Sequence, residues 1–553
     1  MSSLTWKILV TAALGMFVAH GATIHAPRQS NTSTISWFDC PDAPSTQCAF
    51  FDVPMDYTNI NGNETVSIFL RKYPATVSED QRLGSLLTNP GGPGGSGSEW
   101  LLRRGKEVSE ILGGTYDVIG FDPRAVNLTG PSTACHDVEA KYIHQMQGPP
   151  FPRHEKSHVT KLAAIQATQN AACEQNGNYE MLRNSGTVAV VKDMERIVQA
   201  LGEDGLNFWG FSYGTILGAT FAALKPHLVK RMVLDGVSDS ESYFNDVLQW
   251  GKDSIKYSDI TLRGFASTCI EAGPEYCALA NKSDTTQGIL DRLDALYTRL
   301  DREPLAFGDS PSGPGIIEAH HVQTFMLSSL YRPNIWQAVA QALVLLEEGY
   351  GVTLSTLFSE SYGAVPRPYD QNVFNRSMQT ATTREAFNPI LCGDSAPLNI
   401  TIDQYTDYFR AMGNLSRVGE AYATVIGRCR GWPFRAKERF PILFVSLDAD
   451  PVTPLATAIK MNNVFESSSL LVQQGFGHCS NAHPSLCTAK HIENYFVNGT
   501  VPPNGTHCTP EPGFIYPTNA TNSKRFMLNK RDADLLSAIE KIGRTGSKYM
   551  FGL

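Results

Sequence analysis

The residues best equipped for chemistry in this sequence are a serine, a histidine and a carboxylate, each placed where an apolar run ends. Gly210-Phe211-Ser212-Tyr213-Gly214 stands between LNFWG (206–210), which reads as a buried strand, and TILGATFAALK, which reads as a helix. In that setting the chain must bend sharply, and the flanking glycines are needed because larger side chains would collide with the strand and the helix. Outside it, the serine would sit in an ordinary glycine-rich turn. Ser212 therefore reads as a nucleophile, and a hydroxyl attacks a carbonyl only when a base takes its proton. Among the 13 histidines, His478 follows the last strand-like run in the short loop Gly475-Phe476-Gly477-His478 and lies beyond every acid candidate. His227 follows a helix-ending Lys-Pro, His320 and His321 lie in a helical insertion, and His483 and His491 belong to the loop and helix after the site.

A third group must orient the imidazole and stabilise its cation, which calls for a carboxylate at the end of a strand before the histidine. Asp450 opens the rigid loop Asp450-Pro451-Val452-Thr453-Pro454 after the strand-like PILFVSL (441–447) and is the first choice. Asp448, two residues earlier, and Asp235, at the end of the strand after the nucleophile helix, are the alternatives. The attacked carbonyl oxygen needs preorganised N–H donors. One is the Tyr213 amide. The other is expected from Asn89-Pro90-Gly91-Gly92-Pro93-Gly94-Gly95-Ser96-Gly97, with Gly91 or Gly92 as donor. A phosphate-binding loop is disfavoured, because no Lys-Ser/Thr follows the glycines and no intact G-x-G-x-x-G is present. This chemistry requires no metal or organic cofactor.

The elements that hold these groups read as α/β. Apolar runs at 83–88, 116–121, 206–210, 229–234, 441–447 and 469–473 alternate with helical stretches such as 187–201 and 213–225. The pattern predicts repeated βα units and a mainly parallel sheet with its chemistry at the carboxyl ends of the strands. From about 240 to 430 the pattern changes to helices joined by Gly/Pro-rich loops, for example 335–348, an insertion after the sixth strand. The chain divides as 22–239 and 431–553 for the two parts of the core, with 240–430 inserted. At 553 residues, 42% hydrophobic and 18% charged, it is long enough for a large core and has globular composition. The net charge of -8 and the absence of a basic block give no footing for nucleic acid.

Residues 1–21 read as an export signal: Lys7, an apolar run from Ile8 to Ala19, then small Ala19 and Gly21. The run is too short to span about 30 Å of hydrocarbon, so no membrane association is expected once the signal is removed. Asn-x-Ser/Thr acceptors at Asn31, Asn63, Asn127, Asn281, Asn375, Asn399, Asn414, Asn498, Asn504 and Asn519 fit a secreted glycoprotein. So do local cysteine pairs, Cys40 with Cys48, Cys135 with Cys173, Cys269 with Cys277 and Cys392 with Cys429, none at zinc-ligand spacing. The total of 11 is odd. Cys479, Cys487 and Cys508 leave one thiol over, and a Cys487–Cys508 bridge with a buried Cys479 is one arrangement.

NPGGPGGSG at 89–97, GFDPRA at 120–125, GFSYGT at 210–215, DPVTP at 450–454 and GFGHCS at 475–480 together resemble the secreted tripeptidyl aminopeptidase and proline iminopeptidase group of α/β hydrolases, peptidase family S33. The resemblance runs from about residue 45 to 510, and the stretch after the insertion resembles that group's C-terminal, TAP-like domain. It implies the α/β-hydrolase fold, nucleophile Ser212, acid Asp450, base His478, a helical lid formed by the insertion, and a peptide or small-molecule substrate. An aminopeptidase must also bind a free α-ammonium group, for which Glu99, Glu241 and Asp394 are candidates. An esterase or lactone hydrolase using the same triad is the competing reading, since fold does not fix substrate; a binding protein with an idle site is a third, opposed by the intact triad.

Overall fold

The structure is a computed structural model, which describes residues 34–60, 62–136, 155–308, 314–351, 383–436, 443–450, 455–464, 468–476, 479–498, 500–512 and 528–546. The signal segment, Asn31, Asn375, Asn519, the Pro451–Pro454 loop and His478 lie outside the described residues.

Seven strands form the main sheet: β1 (Phe38–Asp39), β2 (Gln47–Pro54), β3 (Thr65–Tyr73), β4 (Ser85–Asn89), β5 (Asp117–Asp122), β6 (Leu206–Phe211) and β7 (Val229–Asp235), in the order β1-β2-β3-β5-β4-β6-β7. The first three pair antiparallel and β3 pairs antiparallel with β5, whereas β5, β4, β6 and β7 are parallel. The sheet is therefore mixed: the antiparallel strands at its start escaped the sequence reading, which recognised only the parallel half. Side chains on a strand alternate between faces, and here neighbouring residues divide between two apolar layers. Leu86 and Val118 pack with Leu101 and Val108 of the helix Gly97–Ile111. Leu87 and Ile119 join the cluster of Val190, Met194 and Ile197 from the helix Thr187–Ala200. Every residue of β4 is buried, as expected for a strand covered on both sides.

The order matters for the site. After β4 the chain crosses to β5 on one side and then to β6 on the other, so a crevice opens at the carboxyl ends of β4 and β6. Asn89 is in register with Gly210, which sets the start of the glycine loop beside the Ser212 bend.

The insertion is helical, with a short antiparallel pair β8 (Leu305–Phe307) and β9 (Gly315–Ile317). Its helices Val247–Ile255, Ser258–Tyr276, Thr286–Arg302, Ala319–Leu330, Trp336–Glu347, Ile402–Leu415 and Gly419–Ile426 share one apolar cluster with the sheet's helices. Arg417 bridges Asp259 and Asp294 (2.8 and 2.9 Å) across three of its segments. Beyond it, β10 (Leu443–Ala449), β11 (Ser469–Phe476) and β12 (Thr506–Cys508) form a separate parallel sheet. Among the described residues β10 finds its strand partner in β11, and β7 remains an edge strand with Val233 53% exposed.

Disulfides join Cys40–Cys48, Cys135–Cys173, Cys269–Cys277, Cys392–Cys429 and Cys487–Cys508. Cys479 is outside the disulfides and exposed rather than buried, in the loop beyond the end of β11. Among the described residues no helix is long and apolar enough to cross a membrane.

Candidate active site

Ser212 occupies the bend between β6 and the helix Tyr213–Leu224 with φ 55° and ψ -120°, and it is exposed. A non-glycine residue in that region costs on the order of 1–3 kcal/mol and persists only when its surroundings enforce it. The enforcement is visible. Ser212 N donates to the Asp235 carbonyl (3.0 Å), and its own carbonyl accepts from Thr215 N (2.8 Å) and Thr215 Oγ1 (2.6 Å). Close packing explains the glycines: a Cβ on Gly210 would stand 2.4 Å from the Gly214 carbonyl oxygen, and one on Gly91 would stand 2.4 Å from the Phe211 oxygen and 2.8 Å from Ser212 Cβ.

The glycine loop thus lies directly against the elbow. Its two candidate donors differ. The Gly91 N–H is engaged by Asn89 Oδ1 at 2.9 Å, whereas among the described residues no hydrogen bond engages the Gly92 N–H. Gly91 contributes closeness instead, its missing side chain leaving the Tyr213 amide open.

Asp122, at the end of β5, holds this loop from below. Its fully buried carboxylate accepts from Ser96 Oγ (2.6 Å), Ser98 N (3.1 Å), Ser98 Oγ (2.9 Å), Asn127 Nδ2 (3.0 Å) and Leu128 N (3.3 Å). Burial pushes its pKa up, and the bonds from Ser96, Ser98 and Leu128 oppose that shift. Two residues on, the buried Arg124 grips Asp193 with two nitrogens (2.7 and 2.8 Å) and donates to the Pro54 and Asn184 carbonyls, fixing the segment that follows β5 to the helix Thr187–Ala200. The sequence offered GFDPRA as a motif but no role for either residue.

At the end of β10 the two neighbouring carboxylates have different surroundings. Asp450 is 9% exposed and its Oδ2 accepts from Cys479 N at 3.0 Å, which sets it against the residue that follows His478. Asp448 is exposed and accepts from Gly475 N at 2.9 Å. Asp235 is exposed, and its backbone carbonyl serves the elbow. Of the other histidines, His227 is exposed, and burial drives His320 down to about 2 and His321 to about 4. His483 Nδ1 accepts from Phe476 N at 3.4 Å.

Of the three carboxylates considered for an ammonium group, Glu99 pairs with Arg103 on the helix Gly97–Ile111, and Glu241 is exposed in the first turn of Ser240–Asn245. Asp394 is 7% exposed, and its oxygens accept from Thr187 N, Thr187 Oγ1 and Tyr243 OH. Asn63, Asn281, Asn399, Asn414 and Asn504 are exposed, whereas the Asn127 amide donates to Ser96 Oγ (3.1 Å) and Asp122 beside the glycine loop.

Residues 84–313 match the α/β hydrolase fold family, and residues 417–508 match the TAP-like protein family. The chain is 27% identical over 535 residues to the serine protease Hip1 of Mycobacterium tuberculosis, covering 91% of this chain and 97% of that protein. It is 26% identical over 516 residues to the tripeptidyl aminopeptidase of Streptomyces lividans, with 89% of each covered. To carboxylesterase B of Mycobacterium tuberculosis it is 26% identical over 506 residues, covering 89% of this chain and 92% of that protein. The chain is an α/β-hydrolase-fold serine hydrolase with a TAP-like region in its C-terminal part.

Proposed function

We propose that this hydrolase is a secreted aminopeptidase that cleaves short peptides from free N-termini through an acyl-enzyme. The observation that carries the reading is the strained, exposed Ser212 with a glycine loop packed on it, in a chain alignable along nearly its full length with a tripeptidyl aminopeptidase and a serine protease. Ser212 attacks the carbonyl while His478 takes its proton, and Asp450 orients and stabilises the resulting imidazolium. The oxyanion rests on the Tyr213 and Gly92 amides. His478 returns the proton to the leaving amine, and water repeats the sequence on the ester. For this to happen, the loop after β11 must meet the carboxyl ends of β6 and β4.

Glu99 and Glu241 are the carboxylates left for the substrate ammonium group, Asp394 being enclosed. The insertion at 240–430 serves as a lid. Export through residues 1–21 and glycans on the exposed acceptors complete the proposal, with five disulfides in support. The likeness to a carboxylesterase favours the second reading, an esterase with the same triad.

Chromogenic substrates separate the two. Cleavage of free-amino tripeptide anilides, with N-acetylated ones refused, is the expected result; turnover confined to simple esters would establish the second reading instead. Silence toward every substrate and toward fluorophosphonate would remove both.

A further inference from the structure

We infer that Asp394 is a positioning residue for the nucleophile elbow, acting from the inserted helical region through Thr187 and the phenol of Tyr213. The inference rests on the reading of Ser212 as nucleophile and of the Tyr213 amide as an oxyanion donor.

The chain of contacts is short and buried throughout. Tyr213, next to Ser212, is 3% exposed, and its hydroxyl lies 2.6 Å from Thr187 Oγ1. Thr187 Oγ1 lies 2.6 Å from Asp394 Oδ2, and Tyr243 OH reaches the same oxygen at 3.1 Å. The Thr187 hydroxyl has one proton, and it goes to Asp394 Oδ2, so Thr187 Oγ1 accepts from the Tyr213 hydroxyl. The order is Tyr213 O–H to Thr187 O–H to carboxylate, a one-way chain in which each bond strengthens the next.

Asp394 also does for a helix what its own sequence omits. The helix Thr187–Ala200 begins after Gly186, which has no side chain to cap it. Both Asp394 oxygens accept from Thr187 N (2.9 and 3.1 Å), so a carboxylate 207 positions away supplies the missing cap at the end of the helix that favours negative charge. The segment bearing Asp394 is itself pinned. Cys392 is bonded to Cys429, and Arg435 donates to the Cys392 and Ser395 carbonyls (2.5 and 3.0 Å).

Residue 213 is thereby held at both ends. Its amide faces the position of the developing oxyanion, and its phenol is tied to a carboxylate of the insertion. Any shift of the insertion at Asp394 reaches the elbow through two hydrogen bonds, which gives the insertion a part in catalysis distinct from covering the site.

The test measures the rate of fluorophosphonate labelling, which needs no knowledge of the substrate, together with kcat and KM on whichever substrate the wild type turns over. Thr187→Val and Tyr213→Phe each remove one link and leave the carboxylate in place. Each should lower labelling and kcat about tenfold, since displacing oxyanion donors by fractions of an ångström is costly, with KM little changed. Thr187→Ser, which keeps the hydroxyl, should restore the wild-type rate. The Thr187→Val/Tyr213→Phe double variant should be no slower than either single one, because both break the same chain. Asp394→Asn should follow them if it folds. Wild-type labelling rates in folded Thr187→Val and Tyr213→Phe proteins would overturn the inference while leaving Ser212 as nucleophile. A wild-type protein that resists labelling altogether would overturn both.

Discussion

Asp122→Asn is the most informative single change near the glycine loop, because the substitution keeps the shape and alters only charge and hydrogen-bond polarity. The carboxylate meets donors on both oxygens: Oδ1 takes Ser96 Oγ and Ser98 N, and Oδ2 takes Ser98 Oγ, Asn127 Nδ2 and Leu128 N. An amide must place its NH2 on one side. Hydroxyls can turn to accept, but backbone N–H groups cannot. Facing Oδ1's partners it abuts the Ser98 amide, and facing Oδ2's it abuts those of Leu128 and Asn127. At least one buried donor is left without an acceptor, at about 1–3 kcal/mol, and the surviving bonds lose their charge assistance. Together these amount to about 2–4 kcal/mol of stability. The loop tethered by Ser96 and Ser98 carries Gly92, so the proposed oxyanion donor should loosen as well. Full loss of such a donor costs on the order of 10²–10³ in kcat, and a loosened one is expected to cost about 10–100-fold with KM nearly unchanged. Thermal unfolding and steady-state kinetics on purified protein measure both effects. A variant with wild-type midpoint and kcat within twofold would refute the claim that Asp122 holds the loop.

Gly91→Ala should abolish activity more sharply than it destabilises. Its φ of 92° and contacts of 2.4 Å to the Phe211 oxygen and 3.0 Å to Tyr213 N put the new methyl on the approach to the elbow amide; a variant that labels at the wild-type rate would contradict this. Acid should weaken the fold through the buried histidines. The folded protein keeps His320 neutral down to about 2 and His321 down to about 4, whereas the unfolded chain takes up protons below about pH 6.5, so stability falls as pH drops from there toward 4, by up to about 1.4 kcal/mol per pH unit for each histidine. Unfolding midpoints across that range should fall less steeply for His320→Gln than for the wild type, and parallel curves would contradict the assignment. Asn127 should be unglycosylated in mature protein while Asn63, Asn281, Asn399 and Asn414 carry glycans; glycopeptide mass spectrometry decides, and an occupied Asn127 would mean that the loop contacts of its amide are not those of the folded enzyme.

What the sequence revealed and what it concealed have a common physical cause. The elbow, the glycine loop and the parallel strands β4 to β7 were readable because each is specified locally, by a buried run followed by residues that only a tight turn requires. The helices expected at 187–201 and 335–348 stand at Thr187–Ala200 and Trp336–Glu347 for the same reason. The antiparallel strands β2 and β3 were missed. Asp122 and Arg124 were visible as a motif, yet their work depends on β5 lying between β3 and β4, which no local pattern encodes. In the sequence Asp394 is one of three carboxylates that could meet a free α-ammonium group. Its partners, Thr187 and Tyr243, lie 207 and 151 positions away and appear only when the insertion is seen against the core.

The central claim is that Ser212 is the nucleophile and that His478 activates it. Fluorophosphonate labelling followed by peptide mass spectrometry tests this directly, on the wild type and on His478→Ala. The account predicts a single adduct on the peptide containing Ser212 and a labelling rate reduced at least a hundredfold in the variant. An adduct on another residue, or equal labelling without the imidazole, would contradict it.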